Sequence, residues 1–277
     1  MTDHLPAFDI DITPESASRW MMGRDGAFPT RVPVTGEDVP LSYLFFLRSQ
    51  PAAGISIHAE LGRDPDRGLF GGVRYVRHRG IRVGDRLTAD ARVTERKTVE
   101  SPRGDMVLTT LVNEWRAGED LAVTETVRMV DLPPGPPSAP AAGPEADSSL
   151  SSICDPVSFT RTQIAWLTVE TGDTNALHLD RDYALSRQFP DIVVPGTLIV
   201  PVAEKALSAT AGMPLQMLDV RFRAPTFPEE NIVVKAVADE KPDTWRFEVV
   251  GDGGGGGGGG GGTVRAVGRA SISADPS

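Results

Sequence analysis

The stretch HRGIRVGDRLTADARV, from His78 to Val93, has a counterpart in RAPTFPEENIVVKAVA, from Arg223 to Ala238, at a constant offset of 145 residues. Both stretches begin with a basic residue, bend, reach an acidic corner and continue as an alternating apolar strand. The acidic corner is Asp85 in the first and Glu230 in the second. A repeat of this kind predicts two related units in one chain.

The elements around the repeat also occur twice. Val39-Pro40 and Val194-Pro195 each open an apolar segment, LSYLFFL and GTLIVPVAEKAL, which is typical of a buried helix entered through proline. Two alternating segments close each half: MVLTTLVNEWRA and LAVTETVRMVDL in the first, DTWRFEVV and TVRAVGRASIS in the second. Each half is therefore predicted to be one buried helix followed by antiparallel strands, an α+β fold. The alternative interpretation is a single mixed domain.

A proline-rich segment separates the two halves. Six prolines lie between Pro133 and Pro144, and proline fixes φ and removes a backbone donor, which excludes a continuous helix or a central strand there. We therefore predict an N-terminal domain over residues 1–131, a linker over 132–149 and a C-terminal domain over 150–277. Ten glycines, Gly253 to Gly262, are predicted to form an overlong hairpin loop between the last two strands.

Composition excludes several classes of protein. The net charge of -10 argues against sequence-independent binding to nucleic acid, which depends on neutralising phosphates with Lys and Arg. One cysteine, Cys154, and four histidines without zinc-ligand spacing argue against a structural metal site. No apolar run is long enough for a membrane span. We expect a cytoplasmic protein with no membrane partner.

The segment LTVETGDTNALHLDRDYALSRQFPDIVVPGTLI, from Leu167 to Ile199, carries the chemistry. A strand-like LTVET runs into a turn, and Asp180 is placed to cap a short helix after it. Asp173 and His178 flank this turn, so both side chains can face one water molecule, an arrangement suited to general acid and base catalysis. The alternative is that Asp173 caps the turn and His178 packs beside it.

The run T-G-D-T-N-A-L-H-L-D, residues 171–180, followed by Val194-Pro195-Gly196, resembles the G-D-x-N-P-x-H signature of the MaoC-like (R)-specific enoyl-thioester hydratases and dehydratases. The PLSYLFFL helix and the HRGIRVGDRL corner resemble the degenerate N-terminal half of the two-domain members of this family. The resemblance implies a double hotdog fold, in which two antiparallel sheets each wrap a central helix. It also implies one active site per chain, in the second half.

The resemblance assigns roles to individual residues. Asp173 and His178 would bind and activate water, and the backbone N–H of Gly196 would donate to the thioester oxygen. The position of Gly196 at a helix start fits this role, because unpaired N–H groups and the positive end of the helix dipole stabilise a developing enolate. Asn175 would brace the turn and lie beside the substrate. Ala176 departs from the signature, which has proline there.

A second departure concerns Glu204, eight residues beyond Gly196, where many members carry a small hydroxyl residue. A carboxylate on the buried helix would contact the substrate or change the nucleophile. An unpaired buried charge is costly, so it requires a partner. We predict that this partner is a protein group such as Arg221 or Lys205.

Arginines recur between residues 74 and 86: Arg74, Arg77, Arg79, Arg82 and Arg86, with Asp85 as the only acidic residue among them. Arg77 and Arg79 are predicted to meet the phosphates of coenzyme A or the acidic surface of an acyl carrier protein. The alternative is a solvated strand face.

These observations predict a lyase that adds water to an α,β-unsaturated acyl thioester or removes it from the (R)-3-hydroxyacyl form. No metal and no redox cofactor is implied, since coenzyme A or phosphopantetheine arrives as part of the substrate. The partner is an acyl-CoA or an acyl carrier protein, and a homodimer is left open. Three alternatives stay open: a hotdog thioesterase, an enzyme that adds an amine such as glycine to the enoyl thioester, and a non-catalytic acyl-thioester binding protein.

Overall fold

The computed structural model describes residues 4–25, 33–49, 60–63, 67–100, 104–133, 142–171, 173, 175–252 and 262–273. The helices within these ranges are α1 (Pro14–Asp25), α2 (Tyr43–Ser49), α3 (Arg161–Thr171), α4 (Arg181–Ser186), α5 (Gly196–Ala211) and a short 3-10 helix (Ala176–His178). None of the helices in the described part of the chain has the length and apolarity needed to cross a membrane.

The strands form one antiparallel sheet. They are β1 (Phe8–Asp11), β2 (Gly68–Arg77), β3 (Arg86–Val99), β4 (Met106–Ala117), β5 (Asp120–Asp131), β6 (Ser151–Ser152), β7 (Met217–Phe222), β8 (Ile232–Ala238), β9 (Thr244–Gly251) and β10 (Thr263–Ser271). Their order across the sheet is β1-β3-β4-β5-β2-β7-β10-β9-β8-β6. The first five strands in this order come from the first half of the sequence and the last five from the second.

The two halves join through β2 and β7. These strands pair antiparallel from Gly72 opposite Arg221 to Val76 opposite Met217. The sheet is therefore continuous across the chain, and where one domain ends and the next begins stays a prediction. Residues 134–141 of the predicted linker and 253–261 of the glycine run lie outside the described residues.

The two predicted buried helices are both present. In α2, Tyr43, Leu44 and Leu47 are completely buried. In α5, a longer apolar face packs inward, formed by Leu198, Ile199, Val200, Val202, Ala203, Ala206 and Leu207. Full burial of a leucine or phenylalanine side chain contributes about 1.5–3 kcal/mol, so these two helices anchor the core of their halves.

The strand expected at LTVET is wrong, because this sequence forms the C-terminal part of α3. Buried residues recur at Ile164, Leu167 and Thr168, which is helical spacing. The start of α3 is fixed by a capping box, in which the Gln163 N–H donates to Thr160 Oγ1 at 3.2 Å and the Thr160 N–H donates to Gln163 Oε1 at 2.6 Å. The β-branched residues of LTVET favoured a strand only when read without this cap.

Candidate active site

The corner between Asp173 and His178 forms as a compact turn after α3. Asn175 is the N-cap of the 3-10 helix, and its side-chain oxygen accepts the Leu177 N–H at 3.0 Å. The Asn175 N–H in turn donates to Asp173 Oδ1 at 3.2 Å. Asn175 therefore braces the turn, and the structure brings His178 Nε2 to 3.6 Å from Asp173 Oδ2.

A backbone carbonyl fixes the orientation of His178. Its Nδ1 lies 2.6 Å from the carbonyl oxygen of Val193. Because a carbonyl only accepts hydrogen bonds, Nδ1 carries a proton and donates to it, which leaves Nε2 directed toward Asp173. A separation of 3.6 Å is longer than a hydrogen bond, so one water oxygen can contact both groups. The His178 and Asp173 side chains are 14% and 32% exposed, which leaves the corner accessible.

The segment that contains the Val193 carbonyl leads to the start of α5. The Val193 N–H donates to the Leu177 carbonyl at 2.9 Å, and the Val194 N–H donates to the Thr226 carbonyl at 2.8 Å. Gly196 lies three positions after Val193, a span of at most about 11 Å between their Cα atoms. Gly196 is the first residue of α5, and no residue in the described ranges accepts a hydrogen bond from its N–H. This N–H is therefore open to an acceptor outside the protein.

An ion pair between Arg161 and Asp191, which the sequence did not predict, lies just before this segment. The Arg161 guanidinium contacts the Asp191 carboxylate, with Nη1 at 2.7 Å from Oδ1, and the Ile192 N–H donates to the same oxygen at 2.7 Å. The hydrogen bonds from Arg161 lower the pKa of Asp191 below its usual value, although partial burial opposes them. The two residues lie 30 positions apart, so no local pattern announced the pair.

Two aromatic rings lie against Gly196. A Cβ at this position would lie 2.7 Å from Cζ of Phe222 and 2.8 Å from Cδ1 of Phe70. Distances this short exclude any side chain unless the rings move. Glycine is thus required here by close packing between α5 and the rings of β2 and β7.

Glu204 is buried, with 3% of its surface exposed, and its partners are backbone amides of the other half. The Leu41 N–H donates to Oε1 at 2.7 Å and the Ser42 N–H donates to Oε2 at 2.9 Å. The predicted partners were wrong: Arg221 is exposed and lies 3.9 Å from Asp219, and Lys205 is exposed. Both carboxylate oxygens are taken by the protein, so the expected substrate contact of Glu204 lacks support.

The predicted phosphate-binding role of Arg77 and Arg79 is not supported either. Arg77 is only 6% exposed, so it cannot meet a carrier at the protein surface. Burial lowers the pKa of Arg77, while Glu204 and then Asp38 oppose that change. The alternation of β2 places Arg77 on the inner face of the sheet, a position that the charge pattern alone did not reveal.

Three neighbouring arginines are paired with acids, one of them local and two from distant parts of the chain. Arg79 Nη1 donates to the Gly80 carbonyl at 2.6 Å and lies 3.3 Å from Asp85. Arg82 lies 3.0 Å from Asp38, and Arg86 lies 3.1 Å from Asp9. Two of the five arginines are therefore paired with carboxylates that lie far from them in the sequence.

A cavity of about 210 Å³ lies farther along α5. The first half contributes Trp20, Pro40 and Ser42 to its wall, and α5 contributes Pro201, Glu204, Lys205 and Ser208. Within the described ranges, no group of three or more His, Cys, Asp or Glu side chains is placed to hold a metal ion.

Two family models match the chain. Residues 151–251 match the model described as MaoC like domain, and residues 36–126 match the model described as FAS1-like, dehydratase domain region. No curated protein sequence matches at a significant level. The two models place the chain among hydratase and dehydratase enzymes.

Comparison with solved structures shows which fold the chain has. HtdX of Mycobacterium tuberculosis superposes with a TM-score of 0.69 at 17% identity, over 96% of this chain and 99% of that one. A MaoC-like dehydratase from Phytophthora capsici gives 0.70 at 16% identity, over 98% and 95% of the two chains. A Mycobacterium tuberculosis protein described as a double hotdog gives 0.63 at 13% identity, over 98% and 96%. The chain is therefore a double hotdog protein whose second half, over residues 151–251, is a MaoC-like domain.

Proposed function

We propose that the protein hydrates α,β-unsaturated acyl thioesters, or dehydrates the (R)-3-hydroxyacyl form, with Asp173 and His178 as its acid and base. The observation that supports this most is the orientation of His178. Its Nδ1 is committed to the Val193 carbonyl at 2.6 Å, so Nε2 is left as a base facing Asp173.

In the hydration direction, a water held between Asp173 Oδ2 and His178 Nε2 attacks C3 of the enoyl thioester. His178 takes one proton from the water as the C–O bond forms. Negative charge then moves to the thioester oxygen, where the N–H of Gly196 donates to it. The proton held by the dyad passes to C2 and completes the addition. Dehydration follows the same steps in reverse.

The contacts of Glu204 support water as the nucleophile. An amine-adding enzyme needs a group that receives the incoming ammonium, and Glu204 was the candidate for that role. Its two oxygens instead accept N–H groups from Leu41 and Ser42. The carboxylate is thus satisfied without any second substrate.

The test is turnover of crotonyl-CoA, followed by loss of the enoyl absorbance and by the mass of the product. We expect a 3-hydroxybutyryl thioester, and we expect Asp173→Asn and His178→Ala each to lower kcat by at least about a hundredfold, the low end for lost acid or base catalysis. His78→Ala is the matched control, because His78 is exposed and its Nε2 lies 2.9 Å from Thr124 Oγ1 of β5.

Absence of the hydrated product with every enoyl thioester would refute the proposal and leave a non-catalytic binding protein. Near wild-type turnover in either variant would remove that residue from the mechanism. A 3-amino adduct that forms only when glycine is added would replace water by an amine.

A further inference from the structure

Three phenylalanine rings meet beside Gly196 at the junction of the two halves. The Phe45 ring of α2 lies 4.7 Å from the Phe70 ring of β2, and the Phe70 ring lies 5.3 Å from the Phe222 ring of β7, measured between centroids. All three rings are only partly buried, unlike their neighbours Tyr43 and Phe46. Large rings that stay partly exposed beside a candidate site are available to a ligand.

A β-bulge turns Phe70 toward the site. The pairing of β2 with β5 shifts register between Phe70 and Gly72, which leaves Gly71 as the extra residue. Val73, Tyr75 and Arg77 are the buried residues of β2, so strict alternation would put Phe70 on the opposite face. The extra residue reverses the alternation and brings Phe70 onto the face that contacts α5.

The glycine at the bulge is required by the neighbouring strand. Gly72 has a φ of +154, and a Cβ there would lie 2.3 Å from the carbonyl oxygen of Val220 in β7. This close approach of β2 to β7 is what places the Phe70 and Phe222 rings together over Gly196. Bulges beside active sites commonly re-aim one side chain.

We propose that Phe45, Phe70 and Phe222 form an aromatic wall that contacts the acyl chain of the substrate and restricts the enzyme to short-chain enoyl thioesters; this inference rests on the proposed function. The Phe70 and Phe222 rings lie against the residue whose N–H would hold the thioester oxygen, so they are within reach of the acyl group bound there. The apolar rings suit an acyl chain and not the polar pantetheine arm. Phe45 closes the space behind Phe70.

The test compares crotonyl-CoA with trans-2-dodecenoyl-CoA in the full-length protein. The measured quantity is the ratio of kcat/KM for the two substrates. We expect the wild type to favour crotonyl-CoA, and Phe70→Ala and Phe222→Ala to shift the ratio toward dodecenoyl-CoA by at least about tenfold, since removing a ring opens room for several methylenes. Phe70→Leu and Phe222→Leu repeat the test with smaller packing losses and should shift the ratio in the same direction.

Phe8→Ala is the matched control. Phe8 is also a partly buried ring, but it lies on β1 against Trp115, at a centroid distance of 6.0 Å. The ratio of kcat/KM for the two substrates should be the same in Phe8→Ala as in the wild type. A wild type that favours dodecenoyl-CoA, or an unchanged ratio in both leucine variants, would overturn the wall, and so would an equal shift in Phe8→Ala.

A binding measurement distinguishes failure of the proposed function from failure of the aromatic wall. If the wild type hydrates neither substrate, the dissociation constants of saturated butanoyl-CoA and dodecanoyl-CoA are measured by calorimetry for the same proteins. A preference for butanoyl-CoA that Phe70→Leu reverses supports the wall without turnover. Equal preferences in wild type and variants overturn it.

Discussion

Replacing Glu204 by glutamine should destabilise the protein through two backbone amides of the other half. The Leu41 and Ser42 residues that donate to Glu204 are 0% and 4% exposed, so their N–H groups have no access to bulk water. In Glu204 one carboxylate oxygen accepts the Leu41 N–H at 2.7 Å and the other accepts the Ser42 N–H at 2.9 Å. Glutamine keeps an oxygen at one of these two positions and places an NH₂ group against the N–H at the other. One buried donor is then left without an acceptor.

The magnitude follows from this geometry. A buried amide without a partner costs about 1–3 kcal/mol, and the remaining hydrogen bond loses the strengthening of a charged acceptor, about 1 kcal/mol more. Glu204→Gln should therefore lower the free energy of unfolding by about 2–4 kcal/mol. Glu204→Ala should lower it further, because both donors are then unsatisfied, whereas the carboxylate charge near Arg77 is lost in both variants.

The assay is urea unfolding followed by circular dichroism and by tryptophan fluorescence, with Glu240→Gln as the control. Glu240 is exposed, so its substitution should stay within about 0.5 kcal/mol of the wild type. The folded variant should still yield the same product from crotonyl-CoA as the wild type. A Glu204→Gln protein as stable as the control would refute the role of these two hydrogen bonds.

Two further predictions concern the start of α5. Gly196→Ala should lower turnover of crotonyl-CoA and destabilise the fold by about 1–3 kcal/mol. The reason is that the added Cβ would lie 2.7 and 2.8 Å from the Phe222 and Phe70 rings. Turnover equal to that of the wild type would contradict this packing. Asp191→Asn should lower the melting temperature at pH 7 by about 2 °C, because a partly exposed ion pair with Arg161 contributes up to about 1 kcal/mol. The pKa of Asp191 is lowered in the folded state, so this stabilisation is present above the unfolded value of 3.8 and is lost as the pH falls through the folded pKa. The wild type and Asp191→Asn should thus converge in melting scans once the pH has fallen below the folded pKa of Asp191, and a constant difference at all pH values would contradict the ion pair.

The parts of the candidate site whose geometry could be predicted from the sequence are local. Asp173, Asn175 and His178 lie within six residues, and turn chemistry alone brings them to one corner. The short helix capped by Asp180 also forms, with the Tyr183 N–H donating to the carboxylate at 3.0 Å. Local hydrogen bonds of this kind depend on spacing in the sequence, so they can be predicted without tertiary information.

The errors arose where partners are distant in sequence. Glu204 and Leu41 are 163 residues apart, and their contact follows from the packing of α5 against the start of α2. The acids that neutralise the arginine stretch come from β1 and from the segment before α2. The Gly71-Gly72 pair is a signal that the sequence does carry, because glycines inside an apolar strand indicate a bulge or a close backbone approach. Here the pair marks both.

The two halves differ in the backbone N–H groups that precede or begin their buried helices. Aligning Val39-Pro40 with Val194-Pro195 places Leu41, two residues before α2, opposite Gly196, the first residue of α5. In the first half its N–H groups are held by the carboxylate of Glu204, whereas the N–H of Gly196 has no acceptor among the described residues. A carboxylate both fills the first position and repels the negative charge that develops on a thioester oxygen. Because Glu204 belongs to the helix that Gly196 begins, the residue that closes the first position also ties α2 to α5. A variant that frees Leu41 and Ser42 should therefore loosen the junction between the halves and should not create a second active site.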